Sequence, residues 1–147
     1  YFYVIFIVYK LMKRFLQIIF FTIMFTGLLN IRYSFAHHGW SYYKDDFRLT
    51  LIVTELKLRN PHDQIIGLDS DGRTWNLVLA PPARNRRYGF DENTILVDQE
   101  IHIFGRKHPE KLEIKVHCLY KGDSLVYTYR YYFGRTSLQR YGGQQDC

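Results

Sequence analysis

Short motifs that advertise a chemistry are missing from this sequence. The chain has no Cys-x-x-Cys, no His-Glu-x-x-His and no glycine-rich phosphate loop. It therefore carries no sequence signature of a dithiol redox centre, a zinc peptidase or a nucleotide cradle. No nucleophile–base pair or carboxylate dyad is recognisable. Asp45-Asp46 and Asp91-Glu92 are sequence neighbours, but strand neighbours point to opposite faces and loop neighbours are solvated. Enzymatic activity has no positive support in these residues. Cysteine is scarce too, with Cys118 and Cys147 the only two. In an oxidising compartment they can pair and tie down the Gly/Gln tail that ends in Cys147. The alternative is a buried, inert Cys118 and an unpaired terminal thiol.

Acidic residues are absent before His37, where four basic ones stand: Lys10, Lys13, Arg14 and Arg32. Taking these four from the 20 Lys and Arg leaves 16 against 14 Asp and Glu, so the formal +6 falls to +2 for the rest of the chain. That near balance argues against nucleic acid as a partner.

What is present at the N-terminus reads as a secretory signal. Met12-Lys13-Arg14 supplies the positive region, and residues 16–29 (LQIIFFTIMFTGLL) supply an apolar run of 14 residues. Residues 30–36 are more polar and end in Ser34-Phe35-Ala36, with small residues at the last and third-last positions. The run is shorter than the roughly 20 residues a spanning helix needs. The expectation is cleavage after Ala36, a periplasmic or secreted product and no stable membrane span after processing; a retained anchor is the competing reading. Residues 1–11 fit neither part of the scheme. They are read as an upstream extension with Met12 as the start, or else as a long leader or an apolar hairpin. Residues 37–133 then make a β-barrel domain and 134–147 a polar tail.

Downstream, short strands alternate with turn signals. Residues 49–59 predict a long first strand, broken at Asn60-Pro61-His62-Asp63 because Pro61 lacks an amide donor and restricts Asn60. Residues 64–69 and 74–79 predict two more, separated by Ser70-Asp71-Gly72-Arg73, where Gly72 can take positive φ. Trp75, Leu77 and Leu79 share one face. Pro81 and Pro82 open a short helix over 81–88 that Gly89 ends. Residues 100–105 and 111–120 predict the fourth and fifth strands. In the fifth, Leu112, Ile114, Val116, Cys118 and Tyr120 alternate with Glu113, Lys115 and His117, which reads as a core face and a solvated face. A turn at 121–124 leads to a sixth strand, 125–133, followed by a frayed tail. Three strands, one short helix and two or three strands is the element order of a mainly β, OB-like five- or six-stranded barrel. A small β-sandwich is the alternative.

Two surface chemistries stand out. Cleavage after Ala36 exposes His37 as a new N-terminus, whose α-amine and ring Nδ1 can chelate one ion together, with His38 or His62 adding another nitrogen. Amine and imidazole ligands suit Cu(II), Ni(II) and Zn(II), with copper highest in the affinity order. Copper is therefore the candidate ion, and His37, His38 and His62 are the candidate ligands. Idle exposed histidines and a turn-capping His62 are the blander alternative; His102, His108 and His117 are weaker candidates. Arg84, Arg86 and Arg87, beside Tyr88, can grip a phosphate or an anionic envelope partner, or can simply be the solvated face of the helix. Tyr127, Tyr129 and Tyr131 share a face that can stack a sugar, although core packing with wet hydroxyls is the commoner use of such a stripe.

Taken together, Ala36-His37-His38 after a signal, Asn60-Pro61-His62, Trp75 in a later strand, Arg86-Arg87-Tyr88-Gly89-Phe90 and a strand ending in Gly105 resemble an uncharacterised family of small exported bacterial proteins, a domain of unknown function. The likeness runs from about His37 to Arg130. It implies export and a compact β domain and marks His37, His38 and His62 as the site, without implying an activity or cofactor. The chain departs from the pattern at Leu96-Val97-Asp98-Gln99, where the family has a Pro-Gly turn, and in its aromatic last strand and Cys147 tail. The leading expectation is a metal-binding accessory protein. The rival is an envelope-interaction or ligand-binding module without metal.

Overall fold

The computed structural model describes residues 2–29, 39–141 and 147. His37, His38 and the expected cut after Ala36 lie outside them. The chain divides into two units, Tyr1–Ala36 and His37–Cys147. In the first, an apolar stretch without proline forms helix α1, Phe2–Leu29. Lys10, Lys13 and Arg14 interrupt its apolar character, and among the described residues no helix is long and apolar enough to cross a membrane.

The second unit opens with a 3-10 turn, Trp40–Tyr42. It continues through β1 (Asp45–Lys57), β2 (Gln64–Leu68), β3 (Thr74–Val78), α2 (Pro82–Arg87), β4 (Glu100–Lys107), β5 (Glu113–Lys121), β6 (Ser124–Thr128) and α3 (Ser137–Tyr141). Antiparallel pairing gives the order β3-β2-β1-β4-β5-β6, and a parallel β3–β5 contact closes the first five strands on themselves. Closure runs through Asn76↔Glu113, Leu77↔Ile114 and Val78↔Lys115. The result is a closed five-stranded mixed barrel with one extra strand, and α2 lies between β3 and β4.

Strand β1 serves both halves of the barrel. Residues 45–52 pair with β4 and residues 52–57 with β2, with a bulge between Val53 and Glu55. A bulge adds bend and twist to a strand, which is what one strand needs to turn a barrel corner. The inner faces supply Leu51, Val53, Ile65, Trp75, Leu77, Leu79, Ile101, Ile103, Ile114, Val116 and Leu119 to one core; each such burial is worth about 1.5–3 kcal/mol. The β2–β3 turn is organised by Asp69. Its carboxylate accepts the backbone N–H of Asp71 (2.9 Å) and of Arg73 (2.9 Å), Arg73 Nε (2.7 Å) and the Trp75 indole (2.8 Å).

The structure departs from the sequence reading in four places. β1 begins at Asp45 rather than 49, because Phe47 and Leu49 already pack against the core. β6 ends at Thr128 rather than 133, since the chain turns back so that Arg130 bridges Thr136. Residues 136–138, expected in a polar tail, are buried. The fourth departure concerns β5. Its alternation holds through Ile114 and Val116, then slips at a bulge facing Phe104 and Gly105. Leu119 rather than Cys118 joins the central core, and Leu112 is exposed. Gly105 sits at this slip because the strands approach closely there: a Cβ on it would lie 2.4 Å from the Lys115 carbonyl oxygen and 3.0 Å from Val116 Cα.

The face of β5 read as solvated is covered instead, and this corrects the placing of His117 in solvent. Lys115 and His117 are each 1% exposed. Trp40 stacks on the His117 ring with centroids 4.1 Å apart. Ser137 Oγ, at the start of α3, lies 2.5 Å from His117 Nδ1. The covering elements come from both ends of the domain, so alternation within β5 cannot reveal them. A disulfide joins Cys118 to Cys147, with Cα atoms 5.7 Å apart, and fastens residue 147 to β5.

Candidate functional site

The turn between β1 and β2 is built to hold His62. The Asn60–Pro61 bond is cis. Asp63 follows, buried, and is stitched to the connection between β3 and α2. Its N–H donates to Ala80 O (3.2 Å), and its carbonyl accepts from Leu79 N (2.9 Å). Its carboxylate accepts from Asn85 Nδ2 (2.7 Å), which also donates to Ala80 O (2.8 Å). Burial raises the pKa of Asp63, with the Asn85 bond and Arg86 opposing it. His62 Nδ1 lies 2.9 Å from Leu79 O. A carbonyl can only accept, so Nδ1 carries the proton and Nε2 carries the ring lone pair.

His62 lines a cavity of about 180 Å³ together with Tyr43, Pro61, Gln64, Glu113 and Lys115. Glu113 accepts the Tyr43 hydroxyl on one oxygen and Asn76 Nδ2 (2.8 Å) on the other. Burial, reinforced by the Glu113 bond and charge, pushes the Tyr43 hydroxyl well above its ordinary pKa. Lys115 sits with its ammonium 5.4, 5.6 and 6.0 Å from the ring centroids of Trp40, Tyr43 and Tyr129. Burial pulls its pKa down to about 8, with Glu113 opposing and Arg84 assisting. Beyond the Tyr43–Glu113 pair lies a second cavity of about 220 Å³, bordered also by Tyr42, His108 and Lys111. His108 Nδ1 accepts the N–H groups of Glu110 (3.0 Å) and Lys111 (3.1 Å); this ring caps its turn.

The remaining candidates separate. Among the described residues, no group of three His, Cys, Asp or Glu side chains is arranged to hold a metal ion, and His37 and His38 are not among those residues. Arg86 and Arg87 are exposed. Arg84 instead packs its guanidinium 5.8, 5.9 and 5.1 Å from the rings of Tyr129, Tyr131 and Tyr132. Of the tyrosine stripe, Tyr127 and Tyr129 are core residues, and the Tyr127 hydroxyl accepts the Ala80 N–H at 3.0 Å. Sequence reasoning missed Tyr43, Glu113 and Lys115. The available signal was the run Glu113-x-Lys115-x-His117 on one strand face, which is a polar row whose burial depends on a distant cover.

The β3–β5 closure, the long shared β1 and the intervening α2 define the class: a small OB-like barrel protein. Compared with family models, curated proteins and solved structures, the chain matches none.

Proposed function

We propose that this chain is an exported binding protein of the kind it resembles in sequence, and that it holds a transition-metal ion, copper foremost, between the amine and ring of His37 and Nε2 of His62. The observation that carries this reading is the His62–Leu79 hydrogen bond. A carbonyl on Nδ1 fixes the ring and its tautomer and puts the ring lone pair on Nε2, the arrangement second-shell carbonyls impose on metal-binding histidines. Three further facts support it. Glu113 brings negative charge to the same cavity wall. Lys115 is a weakened cation there, its pKa lowered to about 8. Trp40, three residues after His37 in the sequence, is buried. Tyr43, from that same segment, lines the His62 cavity.

The test is a Cu(II) titration of the chain beginning at His37, of the same chain with one residue added ahead of His37, and of His62→Ala. Loss of about tenfold or more in affinity is expected in both altered proteins, because each removes one arm of the chelate. Equal, weak binding in all three would overturn the reading. So would an intact mass of exported material that still includes Phe35 and Ala36.

A further inference from the structure

We propose that the groove between α2 and β6 binds a small phosphate-type oxyanion, at a site separate from the His62 cavity. The groove encloses about 200 Å³, and its walls include Arg84, Asn85, Tyr88, Thr128 and Arg130 over Phe90. Arg86 and Arg87 are not part of it. Two arginines thus line one small cavity, and none of its lining residues is a carboxylate. Among the described residues neither arginine takes part in an ion pair. Like charges facing a common space repel unless something of opposite charge lies between them.

Both arginines are held from behind. Arg84 Nη1 makes long contacts to Tyr129 Oη (3.4 Å) and Arg130 O (3.5 Å), and its guanidinium rests against three tyrosine rings. Its Nε is buried among the protein's own atoms, so the terminal nitrogens are the ones left to meet an anion. Arg130 Nη1 donates to Gly134 O at 3.0 Å, and its guanidinium stands 5.8 Å from the ring of Tyr88. Tyr88 is itself fixed by a bond to Tyr131 O at 3.2 Å. The arrangement is preorganised: two planar forks held in place by carbonyls and aromatic rings, with no carboxylate paired to either. A tetrahedral dianion satisfies two forks at once through charge-assisted bonds, whereas a single carboxylate neutralises only one. The volume suits a phosphoryl group and is below that of ordinary drug-sized ligand pockets.

The experiment is titration of the intact chain with inorganic phosphate at constant ionic strength, sodium chloride serving as control, read by calorimetry and by thermal midpoint. A parallel arm measures co-sedimentation with phosphatidylcholine vesicles with and without phosphatidic acid. Saturable phosphate binding with a raised midpoint is expected, weakened about tenfold or more in Arg130→Gln and unchanged in Arg87→Gln. Thr128→Glu keeps both arginines and puts a carboxylate among them; it should abolish phosphate binding and raise the midpoint without ligand. Vesicle binding that phosphate competes away would assign a lipid phosphate as the source. Phosphate binding without vesicle binding would assign a soluble anion. No saturable response in either arm, or the same response in Arg130→Gln and Thr128→Glu as in the parent, would overturn the proposal.

Discussion

The β2–β3 turn and the covered face of β5 bury polar groups by opposite means. At Asp69, desolvation tends to raise the pKa, but the Trp75 indole and the donors of Arg73 and Asp71 outweigh it and bring it down to about 2. That site prefers its charged form. At β5, Trp40, Tyr129, Phe104 and α3 pack around Lys115 and His117 and exclude water. Burial is the first cause of a His117 pKa of about 4, helped by Arg106 and opposed by Asp46, and of a Lys115 pKa of about 8. That face weakens the charged forms. Hydrogen bonds that saturate an ion and aromatic rings that roof one favour opposite charge states, and each acts in its own pH interval, so the two regions can be separated in solution.

The sharpest break in the comparison comes from removing the roof. Trp40→Ala should cost about 3–5 kcal/mol in denaturant unfolding, the usual range for a buried aromatic. It should also raise the His117 pKa toward 6.5 in an NMR titration while leaving Asp69 near 2. A variant in which His117 kept its low pKa would show that something other than Trp40 shields it.

The next effect is the pH profile of the parent protein. His117 has a pKa of about 4 when folded, against an ordinary 6.5. The unfolded chain therefore binds more protons in that interval, and the His117 contribution is complete above pH 6.5 and lost as pH falls toward 4. The loss is about 3 kcal/mol. Lys115 acts with the same sign at higher pH, because its folded value of about 8 lies below the ordinary 10.5, so its burial becomes less costly as pH rises between the two. Guanidinium unfolding at pH 7 and pH 4, with His117→Gln as the comparison, isolates the acid limb. The variant should lack it, and parallel curves would refute the assignment.

The smallest effect lies at Asp69. Its folded pKa is depressed from 3.8 to about 2, so its contribution is present above pH 3.8 and is lost as pH falls toward 2. Asp69→Asn should flatten that last acid segment of the stability curve and leave the pH 4–7 limb intact. If both segments flattened together, the two regions would not be independent.

The order of elements along the chain was legible in the sequence because its punctuation is local. Pro61 stops one strand, Gly72 and Gly122 turn hairpins at φ of 74° and 55°, and Pro82 starts α2. Trp75, Leu77 and Leu79 announce a core face by alternation alone. The helix between the third and fourth strands pointed to the barrel for the same reason. The site was less legible because its parts meet across long sequence distances. His62 could be picked out as a turn histidine, but the carbonyl that fixes its ring belongs to Leu79. Glu113 and Lys115 looked solvated because their cover comes from Trp40 and Tyr43, some seventy residues earlier. Arg84 was grouped with Arg86 and Arg87 by adjacency, whereas the fold sets it beside Arg130. The bulge opposite Gly105 moved Cys118 off the core side. Such a slip costs one residue of register, and no periodicity count within the strand contains it.

Strand β5 borders three others at once, β4, β6 and, through the closure, β3. This stave of the small cask cannot be drawn out without parting from all three neighbours. Its central amides should accordingly exchange with solvent deuterium only when the whole domain comes apart, and their exchange rates would report global unfolding rather than any partial loosening.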